Sequence, residues 1–186
     1  MQATPCQVVC MMRVFAAIIV LMDAGTVRAY DPNAFEGDGA IADLGFWSYR
    51  PRYRIELQPA LSLTTPGRRQ FRFKGVPTDP LSVFLIIQND GDYQYERLRG
   101  LSTMVDLILE DESGRAVCRA VGVLSDWKLM WSGGGHGGAY WQRQCMDLRL
   151  GRREWYTLVV SVSNVDSVSP PLRVSPLLSG GGWDSP

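Results

Sequence analysis

The sequence is poor in histidine, in lysine and in long apolar runs, and each shortage narrows what the chain can do. Its one histidine is His136, and its only lysines are Lys74 and Lys128. Nineteen basic residues balance nineteen acidic residues, so the formal net charge is zero. Because nucleic-acid binding requires a basic surface, this balance argues against a nucleic-acid partner. One histidine, with two cysteines that are expected below to form a disulfide, gives too few ligands for a zinc site, and we expect no metal and no other cofactor.

The apolar run near the N terminus has the parts of an export signal. An arginine precedes nine apolar residues at 14–22, and Val-Arg-Ala at 27–29 suits a signal peptidase. The run is well short of the roughly 20 residues that a membrane-spanning helix needs. We therefore predict a signal peptide over residues 1–29, cleavage before Tyr30, and a periplasmic or secreted protein without an integral membrane span. Met12 is an alternative start, and a short buried strand is the alternative reading of the run.

Cleavage before Tyr30 would leave two of the four cysteines. Cys6 and Cys10 would be removed, and Cys118 and Cys145 would remain. Two cysteines in an oxidising compartment predict one disulfide. The alternative is a pair of free, buried thiols.

Alternating apolar and polar residues predict a domain built from strands. The alternation is clear from Tyr53, Phe71, Val105 and Tyr156 onward, while residues 81–87 are almost continuously apolar. Alternation is typical of a strand with one buried face, and a continuous run is typical of a strand buried on both faces. Eight or nine short strands without a long amphipathic helix predict an all-β fold, a two-sheet antiparallel sandwich of the jelly-roll kind.

The second half of the chain adds three weaker candidate strands. Residues 127–131 and 140–150 are separated by the glycine-rich segment 132–138, which predicts a flexible loop. Residues 172–178 lie beside prolines, which favours a short strand at a sheet edge.

We predict one folded domain with irregular ends. Residues 30–52 are rich in glycine, aspartate and alanine and are expected to form an irregular lead-in. The sandwich domain then covers residues 53–178, and a flexible tail covers residues 179–186.

The order of these elements resembles a known group of proteins. Residues 65–75 read Thr-Pro-Gly-Arg-Arg-Gln-Phe-Arg-Phe-Lys-Gly and precede a buried strand, an acidic hairpin and a late strand that begins Trp-Tyr-Thr-Leu-Val-Val at 155–160. Over residues 53–165 this arrangement is similar to small exported bacterial β-sandwich proteins of the pre-peptidase C-terminal and galactose-binding-like kind. The resemblance implies binding more often than catalysis.

Large aromatic residues on both sides of the glycine-rich segment form the clearest candidate site. Aromatic side chains at the mouth of a loop can stack on a sugar ring or anchor a protein interface. The candidate ligand-binding or partner-binding residues are Trp127, Trp131, His136, Tyr140 and Trp141. Packing of the aromatic rings in the core is the alternative.

The evidence for catalysis is weak, and no catalytic residue is predicted. His136 lies among glycines, which provide no fixed partner for a general base, and the chain has no Gly-x-Ser-x-Gly motif. A calcium site at Asn89, Asp90 and Asp92 is less well supported than a plain hairpin turn. Strand alternation or a turn also explains the four carboxylates that suggest a glycosidase pair, which are Asp106, Glu110, Asp111 and Glu112.

Taken together, these features predict a non-catalytic exported protein that binds another protein of the cell envelope, as an inhibitor or immunity-type protein. A carbohydrate-binding or peptidoglycan-binding module is the alternative, because the same aromatic residues suit a glycan. A hydrolase that uses His136 is a remote third possibility. The chain has no apolar stripe beyond those that the strands use, so we expect a monomer, and pairing through an edge of the sandwich is the alternative.

Overall fold

A computed structural model describes most of the predicted domain. The described residues are 32–43, 53–77, 80–88, 100–133, 136–166 and 172–180. All of them belong to one compact unit, Asp31–Pro186. The predicted signal peptide, the turn at 89–92 and the end of the predicted tail lie outside the described residues.

Strands dominate the described residues, as predicted. They form two antiparallel sheets, with three short 3₁₀ turns at Pro32–Ala34, Leu124–Asp126 and Arg143–Cys145. The fold is therefore all-β, a two-sheet sandwich. None of the described residues belongs to a helix that is long and apolar enough to span a membrane.

The first sheet has five strands. In spatial order they are β1 (Glu36–Gly37), β5 (Gly67–Lys74), β11 (Tyr156–Ser163), β7 (Met104–Asp111) and β8 (Ala116–Val123). The strands β5, β11, β7 and β8 pair over most of their length, so the middle of this sheet is continuous.

The second sheet has seven strands. Six follow one another in space as β2 (Gly39–Asp43), β3 (Tyr53–Leu57), β12 (Arg173–Gly180), β6 (Leu81–Gln88), β10 (His136–Trp141) and β9 (Lys128–Gly133). The seventh, β4 (Leu61–Ser62), pairs with the start of β12.

The core forms between the apolar faces of the two sheets. Phe71 and Phe73 of β5 are fully buried, whereas Arg72 between them is exposed. Strand β3 repeats this pattern, since Ile55 and Leu57 are fully buried in the same cluster. Burial of such alternate side chains from both sheets is the main stabilising term of a sandwich. The predicted alternation in β3, β5, β7 and β11 is confirmed.

Strand β6 is buried on both faces, as its continuous apolar run predicts. Leu85 and Ile87 belong to the main core. Phe84 and Ile86, which point to the opposite face, form a second buried cluster with Leu177 of β12. The apolar run therefore reflects burial on two sides.

The final strand differs from its prediction. Prolines near residues 172–178 favour an edge position, but β12 lies inside its sheet between β3 and β6, and the edge prediction is wrong. The neighbouring chain is interrupted here, because β4 pairs with the first two residues of β12 and β3 with the last four. Pro176 is thus paired through β6 alone. The backbone N–H that proline lacks is not needed on the interrupted side.

The predicted glycine loop is largely strand. β9 extends to Gly133 and β10 begins at His136, so the prediction of a flexible loop over 132–138 is wrong for residues 132–133 and 136–138, which are strand. The register of this pair shifts on both sides of Ala139. Glycine within strands commonly accompanies such irregularities, which explains why the glycines do not end the strands.

The predicted disulfide is present and joins the two sheets. Cys118 lies on β8 of the first sheet, and Cys145 ends the 3₁₀ turn Arg143–Cys145, which follows β10 of the second. Their Cα atoms are 5.3 Å apart, within the range of disulfides. The turn replaces part of the strand predicted over 140–150.

The ends of the sandwich also differ from expectation. Residues 30–52, predicted as an irregular lead-in, contribute β1 and β2, which pair with β5 and β3. At the other end β12 continues to Gly180, two residues into the predicted tail. Both sheets therefore extend beyond 53–178. Short edge strands such as β1 have too few residues to show an alternating pattern.

Candidate functional site

The structure places Trp127 in the core. Its side chain is 4% exposed and belongs to the main buried cluster. It follows the 3₁₀ turn Leu124–Asp126 and donates its backbone N–H to the carbonyl of Leu124. A ligand has no access to a side chain at this depth, so the core alternative describes Trp127.

The other four candidate residues lie on one strand pair. Trp131 is on β9, while His136, Tyr140 and Trp141 are on β10. In the backbone register Trp131 pairs with Ala139. The side chains of these four residues lie outside the described part of the structure, so their binding role stays a prediction.

The described residues offer a different candidate surface, the outer face of the five-stranded sheet. Three cross-strand rungs form this face: Arg72–Thr157–Glu110, Gln70–Val159–Ile108 and Arg68–Ser161–Asp106. Strand neighbours are about 4.8 Å apart, so the β5 and β7 side chains form columns about 10 Å apart. The short side chains of β11 lie between them. Val159, at the centre, is 3% exposed although it does not belong to the core clusters.

The two columns have opposite charge. We call Arg68, Arg72 and Lys74 of β5 the basic column, and Asp106 and Glu110 of β7 the acidic column. The exposed Arg119 of β8 forms a bidentate salt bridge with Asp106, and its shortest N–O distance is 2.8 Å. Within the described residues, Arg68 and Glu110 form no ion pair. Neither charge is therefore neutralised by another described residue.

Trp155 lies at the end of this face and is covered by cations of the basic column. The guanidinium carbon of Arg72 is 4.5 Å from the ring centroid, and Nζ of Lys74 is 4.9 Å from it. Both distances suit cation–π attraction. The ring therefore orients the two cations, and the side chains of Arg72 and Lys74 cover it.

A basic cleft adjoins the same end of the sheet. Its volume is about 370 Å³, and its lining residues are Ala34, Glu36, Lys74, Gly75, Arg152 and Arg153. Lys74 pairs with Glu36 at 2.9 Å. Gly75 has a φ of +76°, and a Cβ there would overlap the carbonyl oxygen of Ala34, so only glycine lets the two segments approach this closely.

A hydrogen-bonded turn at residues 151–155 presents the two arginines. The Tyr156 hydroxyl accepts from the N–H of Gly151 at 2.7 Å and donates to a carboxylate oxygen of Glu154 at 2.6 Å. The carbonyl of Arg152 accepts from the N–H of Gly75 at 3.1 Å, which attaches the turn to the end of β5. One oxygen of the Glu154 carboxylate is therefore held by the Tyr156 hydroxyl.

Ionisation of Tyr156 is expected to weaken the fold at high pH. Burial and, secondarily, the hydrogen bond to Glu154 raise the pKa of Tyr156 from 10.0 to about 12. The folded state thus retains a proton that the unfolded state loses, so this stabilising contribution is complete below pH 10 and disappears as the pH rises to about 12. Urea denaturation across this pH range measures it.

The variant Tyr156→Phe should lose less stability than the wild type over the same alkaline range, because it has no hydroxyl to ionise. Glu154→Gln should lower the pKa only in part, since burial is the larger cause. Equal alkaline losses in the wild type and Tyr156→Phe would show that Tyr156 ionises normally.

The four carboxylates considered as a glycosidase pair have structural partners or a solvent-facing position. Asp111 accepts from the hydroxyl of Ser113 and from Arg115 in the β7–β8 turn, and the Ser113 hydroxyl is the largest cause of its lowered pKa. Glu112 accepts from the backbone N–H of Trp155 at 3.1 Å. Asp106 and Glu110 lie on the outer face, as alternation predicts.

Sequence reasoning did not identify the cleft. Glu36 lies in the segment expected to be irregular, and Arg152 and Arg153 had no motif around them. The only available signal was two adjacent arginines directly before a strong strand. No protein-family model matches the chain, and a search of curated proteins finds no match.

Proposed function

We propose that this chain is a non-catalytic binding protein of the cell envelope that recognises another protein through the outer face of its five-stranded sheet. The observation that supports this is the parallel arrangement of a basic and an acidic column about 10 Å apart. Complementary charge on a partner would set its orientation and speed its association. An inhibitor or immunity-type role suits such a surface on a rigid, disulfide-linked scaffold.

Two further observations favour this proposal. The disulfide Cys118–Cys145 suits an oxidising compartment, in agreement with the predicted export signal. Trp155, the tryptophan beside the outer face, already has Arg72 and Lys74 over its ring, in the position that a sugar ring would need. A protein partner therefore fits this face better than a glycan.

Charge reversal tests the proposal. The purified chain is used to capture a partner from an envelope extract, and the affinity of the recovered partner is then measured for Arg68→Glu and Glu110→Lys. Each reversal should weaken binding by about tenfold, because it turns an attraction into a repulsion. The effect should shrink at high salt.

Arg173→Glu is the matched control. Arg173 is exposed at the start of β12, in the other sheet, and the same reversal there should leave the affinity unchanged. Binding that survives both outer-face reversals, or that Arg173→Glu weakens equally, would place the interface elsewhere.

A further inference from the structure

The basic cleft has more positive charge than its own residues neutralise. Lys74, Arg152 and Arg153 line it against the single carboxylate of Glu36. That carboxylate already pairs with Lys74, and its side chain is 59% exposed against 28% for Lys74. Among the described residues neither Arg152 nor Arg153 belongs to an ion pair. The cleft therefore has an excess of two positive charges.

The nearest acid in sequence is not among the residues that line the cleft. Glu154 follows the two arginines directly, but its carboxylate accepts the Tyr156 hydroxyl at 2.6 Å. Two neighbouring guanidinium groups repel each other unless an anion lies between or beside them. The turn thus exposes the two arginines and directs the Glu154 carboxylate to the Tyr156 hydroxyl.

The backbone around the cleft is held in place before any ligand arrives. The Gly75 N–H donates to the Arg152 carbonyl, and the Glu154 N–H donates to the Gly151 carbonyl at 3.2 Å. The close approach of Ala34 to Gly75 fixes the remaining side of the cleft. Preorganised walls lower the ordering cost of binding.

We propose that this cleft binds a phosphoryl dianion, either free phosphate or the head of a phosphomonoester. A guanidinium group can donate two parallel hydrogen bonds to the oxygens of one phosphate, and a lysine adds a point charge. The charge of a dianion equals the excess positive charge among the residues that line the cleft. A volume of about 370 Å³ lies near the lower end of small-molecule pockets and leaves room for a small organic group on the phosphoryl. This site adjoins the proposed protein interface and has Lys74 in common with it, but the assignment does not depend on that interface.

Calorimetric titration of the full chain with inorganic phosphate and with phenyl phosphate tests the assignment, with chloride and acetate as reference anions. Phosphate should bind more tightly than either reference anion. Tighter binding of phenyl phosphate would identify a phosphomonoester as the natural class, and equal binding would identify free phosphate. Affinity for phenyl phosphate should fall as the pH drops below about 6, where a phosphomonoester loses its second charge.

The double variant Arg152→Gln/Arg153→Gln should weaken phosphate binding at least tenfold, since it removes two charge-assisted donors. Arg152→Lys/Arg153→Lys keeps the charge and should recover only part of the affinity, because it lacks the paired donors. Arg173→Gln is the matched control and should bind as the wild type does. All three substituted positions are exposed, and circular dichroism checks that each variant is folded.

Phosphate binding no tighter than chloride would overturn the proposal. Binding that survives the double glutamine variant would overturn it as well, because the anion would then lie elsewhere. Neither result bears on partner capture, which Arg68→Glu and Glu110→Lys test separately.

Discussion

Replacing Phe73 with alanine is expected to destabilise the fold by about 3 to 5 kcal/mol, the cost of removing a large aromatic side chain from a packed core. Phe73 is fully buried on β5, and its ring centroid lies 6.1 Å from that of Tyr156 on β11. The substitution removes apolar contacts, leaves a cavity and breaks this aromatic pair. Such a loss approaches the whole stability of a typical domain, about 5 to 15 kcal/mol.

Urea denaturation of Phe73→Ala measures this effect, and Gln70→Ala is the matched control. Gln70 lies on the same strand but is exposed on the outer face. Its truncation should change the free energy of unfolding by only about 0.5 kcal/mol. If the two variants lost equal stability, the inward face assigned to Phe73 would be wrong.

Removal of the disulfide is the second large effect. Cys118 and Cys145 are 27 residues apart, and closing a loop of that length stabilises the fold by about 3.5 kcal/mol through the entropy of the unfolded chain. Both cysteines are buried in the main cluster, so Cys118→Ala/Cys145→Ala loses some packing as well. The double variant should denature at a lower urea concentration than the wild type under non-reducing conditions.

A reductant separates the covalent effect from the packing effect. Reductant should lower the urea concentration at which the wild type denatures, most of the way to that of the double variant. The same reductant should not change the denaturation of the double variant. Two reactive thiols in the denatured, unreduced wild type would contradict the disulfide directly.

Much of the strand pattern could be predicted because alternation is a local property. Successive side chains of a strand point to opposite faces, so the buried positions of β3, β5, β7 and β11 follow from a few residues each. The continuous run in β6 likewise indicated burial on both faces. The prolines near β12 led to the wrong prediction of an edge strand. A central strand tolerates Pro176 here because the neighbouring chain is interrupted between β4 and β3.

The candidate site was less predictable because its residues come together only in three dimensions. The basic cleft joins residues near 34–36, 74–75 and 152–153. Their contact requires that β1 pair with β5 and that the turn before β11 attach to Gly75. The spacing of these three segments along the chain does not predict that they come into contact.

The sequence alone determined the class of fold and the buried side of the strong strands, and it favoured a Cys118–Cys145 disulfide over two free thiols. Each of these depends on local periodicity or on a small inventory of residues. The tertiary structure alone decided that β12 is central and that most of the glycine-rich segment is strand. It also decided that two columns of opposite charge lie on one face of a sheet and that a basic cleft adjoins one end of that face. These features depend on which strands become neighbours, and packing of the whole core selects that order.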